Sequence, residues 1–120
     1  MDKKLKDSLS KIKLLICDID GVLTDGSFIK STSGEELRSF NALDGVGFVV
    51  LRLLDLNVKT AWITGRESLT TTQRAEELQI DDVYNGVIRK IDAYIELKKK
   101  YGLSDSEVCF IGDDIIDIPI

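Results

Sequence analysis

Hydrophobic and polar positions alternate along the chain in blocks that switch between two periods. Lys13 to Ile19 (KLLICDI) is a nearly unbroken apolar run, the pattern of a strand buried on both faces. Gly26 to Phe40 mixes polar and apolar residues around Ser33-Gly34, which predicts a hairpin inserted after that strand. Asp44 is a candidate N-cap for a helix whose apolar positions Val46, Val49, Val50, Leu53 and Leu54 recur every three or four residues. Val58 to Ile63 (VKTAWI) predicts a second buried strand. Ser68 to Leu78 predicts a helix weakened by its threonine run. Val83-Tyr84 is a short strand candidate. Ile88 to Tyr101 predicts a stronger helix stopped by Gly102, and Val108 to Ile111 (VCFI) a last strand closed by Gly112. The leading MDKKLKDSLSK is charged and reads as a helical or frayed lead-in.

Strand, helix, strand repeated in this way predicts an α/β fold with a Rossmann-like parallel sheet and helices on both faces. In such sheets ligands meet the carboxyl ends of the strands. Asp18 and Asp20 follow the first strand; Thr64, Gly65 and Arg66 follow the second; Asp113, Asp114 and Asp117 follow the last. These endings would converge on one edge.

Composition narrows the chemistry. The 120 residues fit one domain of a globular chain, 43% hydrophobic and 31% charged. There is no histidine, which removes histidine-based triads and most zinc sites. Two cysteines, Cys17 and Cys109, suit a reducing compartment and read as small apolar strand residues. A net charge of −5 argues against a general nucleic-acid binder, and no apolar run has the length of a membrane span. No apolar secretory segment opens the chain, so the expected location is the cytoplasm.

Acidic pairs are common in solvated loops, and acidic residues often cap helices. A carboxylate at the end of an apolar strand, however, is costly unless a cation or hydrogen bonds meet it. Two acidic clusters, DIDG and GDDIID, at two strand ends suit a hard cation with oxygen ligands, Mg²⁺ foremost. Thr64-Gly65-Arg66 is either an ordinary strand–helix turn or an anion site. Lys98 to Lys100 read as a solvated charged face, and Trp62 as sheet core.

Taken in order, DIDGVLTDG, WITGR, Lys90 and FIGDDIID resemble the haloacid dehalogenase-like phosphohydrolases, whose four motifs they match from Ile12 to Pro119. GVLTDG, GEELRSFNALDGVG and the Arg74 that follows ITGR are similar to the small capless 3-deoxy-D-manno-octulosonate 8-phosphate phosphatases. The resemblance implies a single domain over residues 1–120 that hydrolyses a sugar-acid phosphate in lipopolysaccharide precursor synthesis. It implies Asp18 as nucleophile and Mg²⁺ ligand, and Asp20 as acid/base whose backbone carbonyl also binds Mg²⁺. Thr64 and Lys90 would contact the phosphoryl group, and Asp113, supported by Asp114, would complete the metal site. Asn41, Ala42, Leu43, Asp44, Gly45, Arg66 and Arg74, together with Asp20 and Lys90, match substrate-contacting positions. It further implies a homotetramer with the hairpin 26–40 in the subunit interface.

The family continues past GDDIID through a further strand and helix, so the chain ending at Ile120 resembles its front part, and Val49 stands where many members carry arginine. The alternatives are a phosphatase for nine-carbon sugar-acid 9-phosphates and a non-catalytic phosphate-binding or oligomerising remnant. A receiver domain fits less well, because there the acidic pair and the phosphoacceptor occupy different strand ends.

Overall fold

The apolar run after Lys13 becomes β1 (Leu14–Cys17), one of the two inner strands of a four-stranded sheet in a computed structural model that describes residues 1–120. Its neighbours are β4 (Lys59–Thr64) on one side and β6 (Val108–Ile111) on the other, with β5 (Asp82–Asn85) beyond β4. All pairings are parallel: Leu14 faces Lys59 and Val108, and Thr64 faces Asn85. The chain passes through α2 (Ala42–Leu53), α3 (Leu69–Leu78) and α4 (Lys90–Tyr101) between successive strands. Parallel pairing needs such crossovers, and it brings all four carboxyl ends to one edge.

Two cores flank the sheet, which explains why the strands are apolar throughout. On one face Leu14, Ile16, Ala61 and Ile63 meet Ala93, Tyr94 and Leu97 of α4. On the other, Cys17, Ile19 and Trp62 meet Phe48 of α2 and Ala75 and Leu78 of α3. Trp62 is fully buried, stacked against Phe40 at 6.4 Å and edge-on to Phe48 at 5.7 Å, so the core reading of this residue holds. Cys17 is buried and its thiol is pushed up to about 12, chiefly by burial, so it stays protonated and apolar. Cys109 is half-buried.

The expected hairpin is present as β2 (Ile29–Lys30) and β3 (Glu36–Leu37), paired antiparallel around a turn in which Gly34 takes φ +91°. The lead-in forms α1 (Lys3–Leu9), whose Asp2 side chain accepts from the Lys4 amide at 3.3 Å and which buries nothing. α4 ends at Gly102 in the left-handed region, as its sequence predicts.

α2 corrects two expectations. Its N-cap is Asn41, whose side chain accepts from the Leu43 amide at 2.8 Å, and Asp44 lies one turn inside. There its charge still favours the positive helix end. The buried face is Gly45 and Phe48, whereas Val46, Val50, Leu53 and Leu54 are exposed. The sequence ALDGVGFVVLRLL is apolar almost all round, so periodicity alone does not select a face. The cavity beside Trp62 takes the aromatic ring. In the lysine run Lys99 and Lys100 are exposed as expected, and Lys98 departs from expectation. Lys98 is half-buried, pairing with Asp105 over the Tyr94 ring, and Lys100 pairs with Asp82.

Candidate active site

The sheet delivers its charged strand endings to one cleft. Asp18 follows β1 directly and is held there because its amide donates to the Ile111 carbonyl of β6 at 2.9 Å. One carboxylate oxygen, Oδ1, accepts from the Ile19 amide at 2.7 Å and lies 3.0 Å from Lys90 Nζ. Asp18 is 4% exposed and Lys90 1% exposed. Lys90 is the first residue of α4, so the helix start aims a cation across the sheet edge. Burial pushes the Asp18 carboxyl up from its ordinary range, and the Lys90 and Ile19 hydrogen bonds oppose that shift.

Lys90 has a second partner. Its Nζ donates to Asp117 Oδ1 at 2.6 Å, while Asp117 Oδ2 accepts from the amides of Asp113 and Asp114 at 3.1 and 3.0 Å. Asp117 thereby shapes the loop after β6 and fixes the lysine at once. The resemblance implied that Asp114 supports Asp113; the Asp114 carboxylate caps its own short turn, accepting from the Ile115 amide at 2.6 Å. The signal for Asp117 was the third aspartate of GDDIID, four residues after Asp113.

Thr64 ends β4 almost fully buried, and its carbonyl accepts from the Gly86 and Val87 amides at 3.0 and 2.9 Å. Asp18, Asp20, Thr64, Arg66 and Lys90 share an open cleft of about 500 Å³. The other expected substrate positions do not line this cleft. Asn41, Asp44, Gly45 and Arg74 line one small hollow against Phe40 and Trp62, and Ala42 lines an adjoining one with Arg74. Arg74 pairs with Glu77 at 2.9 Å, and the Cβ of any larger residue at Gly45 would stand 2.7 Å from its Nη2. Leu43 points outward, 76% exposed. Arg66 is clamped by Glu36 of the hairpin and stacks over Phe28 at 4.0 Å.

The donor set fits a hard divalent cation. Carboxylate oxygens of Asp18, Asp113 and Asp117 lie within 4.8 Å of one another. Asp117 has both oxygens engaged, which leaves Asp18 and the exposed Asp113 to offer charge. Gly21, at φ +89°, lets Asp113 lie against the loop that follows Asp18. A Cβ there would overlap the Asp113 carboxylate, so only glycine permits the approach. Oxygen donors alone, without nitrogen or sulfur, select Mg²⁺-like ions.

No family model matches the chain. A 3-deoxy-D-manno-octulosonate 8-phosphate phosphatase of Yersinia pestis is 42% identical over 111 residues, covering 92% of this chain and 58% of that protein. The crystal structure of the enzyme of that name from Moraxella catarrhalis, in complex with magnesium, phosphate and 3-deoxy-D-manno-octulosonate, superposes with a TM-score of 0.92. It is 34% identical, with 99% of this chain and 67% of that one covered. The Yersinia pestis crystal structure gives 0.93 at 38% identity over 99% and 63%. The chain spans less than two thirds of the curated relatives it matches.

Proposed function

The chain belongs to the 3-deoxy-D-manno-octulosonate 8-phosphate phosphatase family of haloacid dehalogenase-like phosphohydrolases, and on that premise we propose that it hydrolyses a sugar-acid phosphate monoester, 3-deoxy-D-manno-octulosonate 8-phosphate first among them. One observation carries this reading. A buried aspartate and a buried lysine, 3.0 Å apart, share a cleft with Asp20 and Thr64 at the carboxyl edge of a parallel sheet.

In this reading the Asp18 carboxylate attacks phosphorus, forming an aspartyl-phosphate as the sugar oxygen leaves. Asp20 gives that oxygen a proton and then takes one from the water that attacks the intermediate. The phosphoryl oxygens meet the Thr64 hydroxyl and the Lys90 ammonium. Mg²⁺, held by Asp18, Asp113 and the Asp20 carbonyl, supplies charge neutralisation when bound. In the same reading Arg66, Arg74 and residues 41–45 would contact the sugar acid. An arginine suits a carboxylate through paired N–H groups.

We further assign the chain to a homotetramer in the cytoplasm. Phe28, Ile29 and Leu37 of the hairpin are 42%, 68% and 60% exposed, apolar surface at its base suited to a neighbouring subunit, and two free cysteines suit a reducing compartment.

The test is Mg²⁺-dependent phosphate release from 3-deoxy-D-manno-octulosonate 8-phosphate, beside nine-carbon sugar-acid 9-phosphates. Preference for the octulosonate ester, lost in Asp18→Asn with the fold intact, is the expected result. Preference for a nine-carbon ester moves the substrate. No release from any ester by the folded chain overturns the enzymatic reading.

A further inference from the structure

The hairpin carries a guanidinium that the chemistry above leaves unused. Arg38 follows β3 by one residue, and its side chain has no exposed surface. Nε donates to Asp20 Oδ1 at 2.8 Å and Nη2 to Asp20 Oδ2 at 3.4 Å. Nη1 lies 3.5 Å from Glu36 Oε2 and has no hydrogen-bond partner. Glu36 in turn is held by Arg66. Burying a guanidinium is costly, and a pair that served only to pin the hairpin could remain in water at little expense. Here the fork grips both oxygens of the one carboxylate expected to move protons, and a two-point grip fixes the plane of that carboxylate as well as its place.

We propose that Arg38 is a positioning residue for Asp20, orienting its carboxyl group toward the ester oxygen; the inference rests on the phosphatase reading. The proton on Asp20 passes to the sugar oxygen as the O–P bond breaks. The resulting carboxylate stays in the plane set by the two Arg38 N–H groups and receives a proton from water in the second step. Asp20 does the chemistry, and Arg38 acts through it. The contribution of such alignment is steep, since a displacement of about 1 Å can cost about 100-fold in rate.

Leaving groups separate this role from general support of the hairpin. An alkoxide needs the Asp20 proton, whereas p-nitrophenolate departs without one. The 120-residue chain is assayed with Mg²⁺ on 3-deoxy-D-manno-octulosonate 8-phosphate and on p-nitrophenyl phosphate. Arg38→Met is expected to lower kcat on the sugar ester about 100-fold with KM nearly unchanged. Its loss on the nitrophenyl ester should be below about tenfold, and Arg38→Lys should restore part of the sugar-ester rate. Ser31→Ala, which removes the side-chain hydrogen bonds of the hairpin turn to the Glu35 amide and the Ser33 hydroxyl, should show no such selectivity between esters. Equal losses on both esters, or a change confined to KM, would overturn the proposal. If Arg38→Met does not fold, Arg38→Lys carries the comparison by the same criterion. A wild-type chain inactive on both esters overturns the phosphatase reading and this inference with it, an outcome distinct from an active wild type without selectivity.

Discussion

The two ends of the sheet both carry ion pairs, built under opposite conditions. At the amino ends, Lys13 pairs with Glu107, Lys59 with Asp81, Lys98 with Asp105 and Lys100 with Asp82. Each of these pairs has at least one partner in contact with water. At the carboxyl ends, Lys90, Asp18 and Asp117 have side chains 0%, 6% and 7% exposed, and two carboxylates share a single ammonium. Water screens the first set, and each pair contributes little. The second set is desolvated and leaves a net negative charge, an arrangement that stability alone would not select. The contrast locates function: the amino edge ties strand starts together, and the carboxyl edge keeps charge for a ligand.

The largest effect expected from breaking this asymmetry is on turnover. Asp18→Asn should reduce phosphate release to below about a thousandth of wild type while circular dichroism is unchanged, because the nucleophile is lost and the volume kept. Lys90→Met comes next. It removes the one cation between two buried carboxylates, and denaturant titration without metal should show a loss of about 3–5 kcal/mol at neutral pH. Asp117→Asn should cost less, about 1–3 kcal/mol. Its amide can still meet one loop N–H, but it no longer balances Lys90.

The smallest effect belongs to the amino edge. Lys13, ahead of hydrogen bonds from Ser104, holds the Glu107 carboxyl at about 2, below its ordinary 4.5. A depressed carboxylate adds stability above its unfolded value, and that stability is lost as pH falls through the folded one. Glu107→Gln should therefore lower Tm slightly at pH 7, with the difference from wild type closing between about pH 4.5 and 2. A difference that instead grew on acidification would show that Glu107 is not held by Lys13.

Much of the carboxyl edge was readable in the chain because strand endings are local. Apolar runs stop at Asp18, Thr64 and Ile111, and parallel pairing does the rest. What escaped was set by contacts distant in sequence. The face of α2 depends on where Trp62 leaves room for Phe48. Arg38 meets Asp20 across 18 residues, and nothing in GEELRSF distinguishes it from any other hairpin arginine. Asp117 was visible as a third aspartate, yet only its distances to Lys90 and to two loop amides show that it organises the site.

The central claim is that Asp18, among the aspartates at this edge, accepts the phosphoryl group. Acid quenching during Mg²⁺-dependent turnover, followed by peptide mass spectrometry, tests it directly. The account predicts one added phosphoryl group on the peptide carrying Asp18, assigned to that residue by fragmentation and absent from Asp18→Asn. A phosphoryl group on Asp20 or Asp113, or sustained turnover with no modified aspartate at any quench time, would contradict it.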